Sequence, residues 1–162
     1  DKSKNDAFRL TFHDSCNVAR ASRMGDRPGG QFDIPRAILR AACNHFFDMA
    51  PETIRESTLC CGGGGGLLTD ELMDLRSKGA QPRMRALREV AEEHGVTHMA
   101  AICAICKAQF SKVLPQYGFD MESILSVHQM VSNAIILTGS KQAEEFDKKT
   151  ERAAALGESA LA

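Results

Sequence analysis

At 162 residues and 43% hydrophobic, the chain is long enough for one domain with a core that needs no covalent staples. Its 20 Lys and Arg stand against 21 Asp and Glu, which leaves no basic excess and sets aside nucleic acid as a partner. The longest apolar candidate, around Ala134 to Leu137, falls far short of the roughly 20 residues that cross a bilayer, so no direct membrane insertion is expected and a membrane role must come through partners.

The chain opens DKSKND, without an initiator Met or a signal-like apolar segment, and is read as a processed chain or, in preference, a piece of something longer. The run RLTFH from Arg9 to His13 is rich in strand formers and stops at Asp14-Ser15-Cys16; the polar stretch after it reads as a helical turn and a Gly/Pro loop. Pro35 suits the first turn of a helix that carries Ile34, Ile38, Leu39 and Ala42 at helical spacing and ends near Cys43. Phe46, Phe47 and Met49 suggest a second strand. Thr69 is placed as the N-cap of a helix with the stripe Leu72, Met73, Leu75, ending near Gly79; Met84, Leu87, Val90 and Ala91 form a second helix, ending at Gly95. Thr97 to Ile102 is an apolar, strand-length run leading to Cys103, followed by a helix that Pro115 and Gly118 stop. Ser123 to Val127 is a last strand, followed by a helix through Met130, Ala134 and Leu137. This gives a domain over 1–140 and a polar, Ala-rich tail over 141–162, helical or frayed.

Strands alternating with helices predict an α/β fold: a mainly parallel sheet of about four strands flanked by helices. Six cysteines stand at 16, 43, 60, 61, 103 and 106. The chain is too large, and lacks the secretion signal, for a disulfide framework, so reduced thiols or metal ligands are expected. Cys16 and Cys103 each follow a strand, and Cys60 and Cys61 precede a helix. Ligands of open parallel sheets bind beyond the carboxyl ends of the strands, so these cysteines are expected to converge at that edge.

Adjacent cysteines point to opposite sides of an extended chain and can share one centre only where the backbone turns sharply. In LCCGGGGGLL, Gly62 to Gly66 permit that turn, allow close approach of a bulky inorganic core, and aim N–H groups at its sulfurs, with Gly62, Gly63 and Gly64 expected at the cofactor. Zinc usually takes two short C-x2-C knuckles, and only Cys103-x2-Cys106 has that form, so an iron–sulfur cluster accounts for more of the pattern. Cys106, near a helix N-terminus and beside Lys107, is expected to favour its thiolate. Cys43 is read as a small core residue. His13 either hydrogen-bonds near the centre or is structural. His45, His94, His98 and His128 show no ligand-like grouping, and Arg20, Arg23, Arg27, Arg36 and Arg40 form either a solvated surface or a docking face for an acidic partner.

HDSCN at 13–17, PRAIL at 35–39, CCGGGGG at 60–66 and CAIC at 103–106 together resemble the cysteine-rich CCG domain of heterodisulfide-reductase-type proteins. Within that family the chain is most similar to the C-terminal part of the K subunit (DsrK type) of the membrane complex of dissimilatory sulfur metabolism. Ser15 and Asn17 stand where the family more often has Pro and a second His. The resemblance implies that Cys16, Cys60, Cys61, Cys103 and Cys106 hold a noncubane [4Fe-4S] cluster, zinc being the alternative. It implies disulfide or trisulfide redox chemistry with a small sulfur-carrier protein (DsrC-like), and other subunits of a membrane-bound electron-transfer complex as partners. The location it implies is cytoplasmic, peripheral to the inner membrane. The ferredoxin-like cysteine motifs expected upstream in such subunits do not occur in this chain.

Overall fold

The computed structural model describes residues 1–24, 27–28 and 31–136. The expected tail, the last-helix position Leu137 and the side chains of Arg23 and Arg27 lie outside the described residues.

In chain order the elements are β1 (Leu10–His13), a π-helical turn (Cys16–Arg20), the two-residue strands β2 (Arg23–Met24) and β3 (Arg27–Pro28), α1 (Asp33–Ala42), α2 (Met73–His94), β4 (His98–Ala101), α3 (Ala104–Val113), β5 (Ile124–Ser126) and α4 (Val127–Ala134). β1, β4 and β5 form one parallel sheet in the order β1-β4-β5, with His13 opposite Ala101 and Ala101 opposite Ser126. β2 and β3 pair antiparallel as a separate small ribbon.

Helices cover both faces of the sheet, which is why its strands read as continuous apolar runs. Met99 and Ala101 face a core built with Met84, Leu87, Val90, Phe110 and Val113 from α2 and α3. Ala100, between them, faces the other core with Leu10, Phe12, Leu39, Leu125 and Met130, on the side of α1 and α4. Cys43 lies in that second core, 3% exposed, as its apolar surroundings in sequence imply. Ser126 caps α4 by accepting from the Gln129 N–H at 3.1 Å.

The sheet has three strands where about four are expected. The segment around Phe46 adds only one rung at the free edge of β1, with Leu10 N–H donating to His45 O at 2.9 Å and Phe47 N–H donating to Leu10 O at 2.8 Å. Pro51, which opens a 3-10 turn, then takes the chain away from the edge.

α2 is a single helix where two are expected, running through both Gly79 and Pro82. Gly79 is there for packing: a Cβ on it would stand 3.4 Å from the Gly62 Cα. Pro82 is on the solvent side, where water can take up the carbonyl that its missing N–H leaves free. The expected stripe is also displaced. Leu72 and Leu75 are exposed at 37% and 56%, while the buried face is Arg76, Ala80, Arg83, Met84, Leu87 and Val90. Gly95, at φ +64°, ends α2 in the left-handed conformation, and Arg9 donates to the final carbonyls of His94 and Gly95, placing a cation at the negative end of the helix dipole.

Candidate metal centre

The register of β1 on β4 sets up the site. His13 is opposite Ala101, so Ser15 and Cys103, each two residues further on, leave the sheet side by side. Cys103 occupies the N-cap of α3, which brings Cys106 back over the strand ends within one turn. The Cys106 Sγ lies 3.9 Å from the Ser15 hydroxyl, which also accepts from the Val18 N–H at 3.2 Å.

The vicinal pair arrives from the other side, pressed onto α2. Gly62 sits at φ +86°, and a Cβ there would lie 2.1 Å from the Arg76 carbonyl oxygen and 3.0 Å from the Ala80 N. Only glycine lets the loop lie this close to the helix and turn in the left-handed region. The turn presents backbone donors to sulfur: Gly62 N–H donates to the Cys60 Sγ at 3.2 Å, and the N–H groups of Gly64 and Gly63 act to lower the Cys60 and Cys61 thiols respectively, against the stronger causes that raise them.

Four thiols are thereby gathered closely enough to act on one another's protonation, Cys61 on Cys60 and Cys106 on both Cys61 and Cys103. A ring nitrogen of His13 and the Sγ atoms of Cys61 and Cys106 all lie within 4.8 Å of one another. Cys61 and Cys106 are buried, Cys103 half-buried and Cys60 exposed, so the group opens to solvent on the Cys60 side. Cys16, half-buried, starts the π-helical turn directly after Ser15.

Crowding and burial set the protonation. The hydrogen bond to Cys61, with burial, holds the Cys60 thiol well above its ordinary range. Cys61 is pushed up to about 11, first by its bond to Cys106. At Cys103 burial acts upward, but the Cys106 N–H, the Ser15 hydroxyl, the Cys106 thiol and the Ile105 N–H outweigh it and lower the thiol. Burial, followed by the nearby Arg83 cation, holds His13 well below the usual imidazole value, so it is neutral at pH 7. Such thiols lose their protons together only when a cation arrives to hold the charge.

The chain matches the CCG Cysteine-rich domain family over residues 10–111, a span that runs from the start of β1 to within two residues of the end of α3. The chain belongs to the CCG cysteine-rich domain family. Among proteins similar to this CCG domain, the Hdr-like menaquinol oxidoreductase iron-sulfur subunit 2 of Archaeoglobus fulgidus is 44% identical over 154 residues, covering 93% of this chain and 26% of the relative. The Hdr-like menaquinol oxidoreductase iron-sulfur subunit of Archaeoglobus profundus is 46% identical over 138 residues, 85% of this chain and 23% of the relative. A probable membrane-anchored ferredoxin of Chromohalobacter salexigens is 31% identical over 131 residues, 80% of this chain and 17% of the relative. The CCG domain thus spans about a quarter or less of these relatives. No solved structure matches it.

The residues of this CCG domain fit a thiolate-held metal group. The donors are sulfur, the Gly62 N–H is turned onto one of them, and three deeply buried nitrogens beside the thiols or behind the loop have no hydrogen-bond partner: His13 Nδ1, Gln109 Nε2 and Arg83 Nε. Of the expected site residues, Cys60, Cys61, Cys103, Cys106, His13 and Gly62 to Gly64 come together. Lys107 lies half-buried in the first turn of α3, its N–H donating to the Cys103 carbonyl at 3.0 Å.

Sequence reading passed over the charged groups that brace the site. Asp14, fully buried, accepts from Arg36 Nη1 and Nη2 at 2.6 and 2.7 Å and from the Arg55 N–H at 2.8 Å, and its carbonyl accepts from the Thr58 hydroxyl. One carboxylate thus ties the end of β1 to α1 and to the chain entering the Cys60–Cys61 loop. Arg36 is therefore an internal brace, not part of a docking face, while Arg20 and Arg40 remain exposed. On α2, Arg76 donates twice to Gln109 Oε1, at 2.8 and 2.7 Å, which turns the Gln109 amide NH2 toward Gly62, 3.0 Å from where its Cβ would be. The available signal was the spacing of Arg76, Ala80 and Arg83 at i, i+4 and i+7, one helix face opposite the glycine loop.

Among the described residues, no helix is long and apolar enough to cross a membrane.

Proposed function

We propose that this CCG domain holds an iron–sulfur cluster, of the noncubane [4Fe-4S] type, on Cys16, Cys60, Cys61, Cys103 and Cys106, and uses it for the redox chemistry of sulfur–sulfur bonds. The observation that carries the reading is the gathering of four thiols from two separate segments, the Cys60–Cys61 loop and the start of α3, beside a glycine turn whose Gly62 N–H donates to sulfur. Closed structural zinc sites are commonly built from two C-x2-C knuckles, whereas a vicinal pair turned inward with N–H donors suits a larger centre with inorganic sulfur.

Bound there, the cluster supplies electrons one at a time. Two electrons and two protons convert a disulfide into two thiols, and the reverse oxidation releases them. The domain's own residues shape the rest. Cys61, Cys106 and His13 form the dry inner wall, and Cys60 is at the opening. Ile105, next to Cys106 in the chain, and Leu67 and Leu68, which follow the glycines, are exposed at 44%, 36% and 37%, apolar surface on which a partner can seat.

The partner proposed is a small sulfur-carrier protein of the DsrC type, bringing a disulfide or trisulfide. Its electrons would be exchanged with other subunits of a membrane-bound complex on the cytoplasmic side, a setting in keeping with relatives described as menaquinol oxidoreductase iron-sulfur subunits. The competing reading is a zinc-held docking module on Cys60, Cys61, Cys103 and one further cysteine, and Cys106, whose Sγ lies within 4.8 Å of that of Cys61, is the thiol that suits the fourth place.

Metal and sulfide analysis of the full chain purified without oxygen separates the two. Iron with acid-labile sulfide, and a visible chromophore that a carrier disulfide alters, are expected. Stoichiometric zinc with no iron or sulfide would overturn the proposal.

A further inference from the structure

Three arginines, Arg36, Arg76 and Arg83, are fully buried, and their charges are balanced unequally. Arg36 is matched by Asp14 at 2.6 Å and Asp48 at 2.8 Å. Arg76 is held by Gln109, by the Thr69 carbonyl at 2.8 Å and by Asp70 at 3.7 Å. Arg83 has no carboxylate within ion-pair distance among the described residues. Its contacts are neutral: Met49 Sδ at 2.8 Å, the Thr53 carbonyl at 2.5 Å and the Thr58 hydroxyl at 3.0 Å. Its Nε donates to nothing.

A buried guanidinium without an anion is strongly unfavourable, and arginine does not escape by deprotonating at neutral pH. Its location suggests what balances it. Arg83 is on the α2 face that carries the glycine loop, one turn beyond Ala80, and it grips Thr58, two residues before Cys60. Burial pushes it down to about 10, still cationic at neutral pH, and the charges that counter this include Asp14, Cys106 and Cys61. Asp14 already serves Arg36.

We propose that Arg83 is the fixed counter-charge of the thiolate centre, a positioning residue whose guanidinium balances the negative charge that metal loading creates on Cys61 and Cys106. This rests on the cluster reading above. Net negative charge on a cluster grows by one on reduction, so a nearby fixed cation favours the reduced state and raises the potential. Arg83→Lys keeps the charge. Arg83→Gln removes it while keeping an N–H donor.

The test is a redox titration, followed by electron paramagnetic resonance, of the anaerobic full chain as wild type, R83K and R83Q, with iron and sulfide measured alongside. R83Q is expected to lower the reduced-to-oxidised ratio at fixed potential at least tenfold, a downward shift of about 59 mV for one electron, with R83K within about threefold of wild type. Equal ratios in all three loaded proteins, or equal shifts in R83K and R83Q, would overturn the counter-charge. If R83Q does not retain iron, unfolding of the metal-free proteins decides. The counter-charge expects metal-free R83Q to be no less stable than wild type, since an unbalanced cation has gone; marked destabilisation of metal-free R83Q would make Arg83 a structural brace and overturn the proposal. A wild type without iron and sulfide would instead fail the cluster reading itself.

Discussion

Replacing Gly62 with alanine tests the closest approach in the molecule. A Cβ at that position would stand 2.1 Å from the Arg76 carbonyl oxygen and 3.0 Å from the Ala80 N, both helix backbone and neither able to step aside. Two costs add. Holding a non-glycine residue at φ +86° takes about 1–2 kcal/mol, and forcing loop and helix apart takes about 1–3 kcal/mol more. Gly65→Ala is the matched control, because Gly65 has φ +64° but nothing within 4 Å of its would-be Cβ, so it carries the first cost alone. Thermal unfolding of the reduced, metal-free chain should then drop by about 10 °C for G62A and about 4 °C for G65A, at roughly 2–4 °C per kcal/mol for a chain of this size. Iron retention should follow the same order, since the clash displaces the turn that holds both vicinal thiols. Equal melting temperatures for G62A and G65A would refute the claim that α2 backs the loop at contact distance.

Asp14→Asn keeps the shape but leaves buried Arg36 with Asp48 alone; denaturant titration should show a loss of about 3–5 kcal/mol, and a loss below 1 kcal/mol would mean that the brace is dispensable. Cys61→Ala should abolish iron binding, whereas Cys43→Ala should keep the iron while costing about 1–2 kcal/mol for the small cavity in the second core; iron analysis and chemical denaturation read the two effects separately. Burial lowers the pKa of His98, which packs edge-on against Phe8 and meets the Thr97 hydroxyl at 2.7 Å. The unfolded chain therefore takes up a proton that the folded chain refuses just below pH 6.5, and stability should fall as the pH drops through that window, by at most about 1.4 kcal/mol per pH unit. Comparing wild type with His98→Gln between pH 7.5 and 5 checks this, and an unchanged slope would rule His98 out as its source.

The parts of the fold built on local pattern were legible. RLTFH, THMAAI and SILSV announce strands because each is buried on both faces and needs apolar residues at nearly every position, and the cysteines beyond two of them mark where a parallel sheet places ligands. What escaped depends on contacts between distant segments. Gly79 looks like a helix stop until Gly62 is seen lying across it. Phe46 and its neighbours have strand composition, but β1 offers them one rung before Pro51 intervenes. Arg76 and Arg83 are charged side chains of a kind normally outside, and their inward face depends on distant partners, Gln109 for Arg76 and Thr53 and Thr58 for Arg83. The Ser15 hydroxyl lies 3.9 Å from the Cys106 Sγ, a contact invisible without the register of β1 on β4.

That register also has a consequence in time. Arg9 and Thr97, which flank the start of the ladder, are 88 positions apart, so the ladder cannot form during synthesis until most of the domain has left the ribosome, and pairings over such separations are slow to find. Until then Cys60 and Cys61 are a bare vicinal dithiol without Cys103 and Cys106, open to oxidation and short of ligands. Under the proposed cluster reading, cofactor delivery must therefore wait for the sheet.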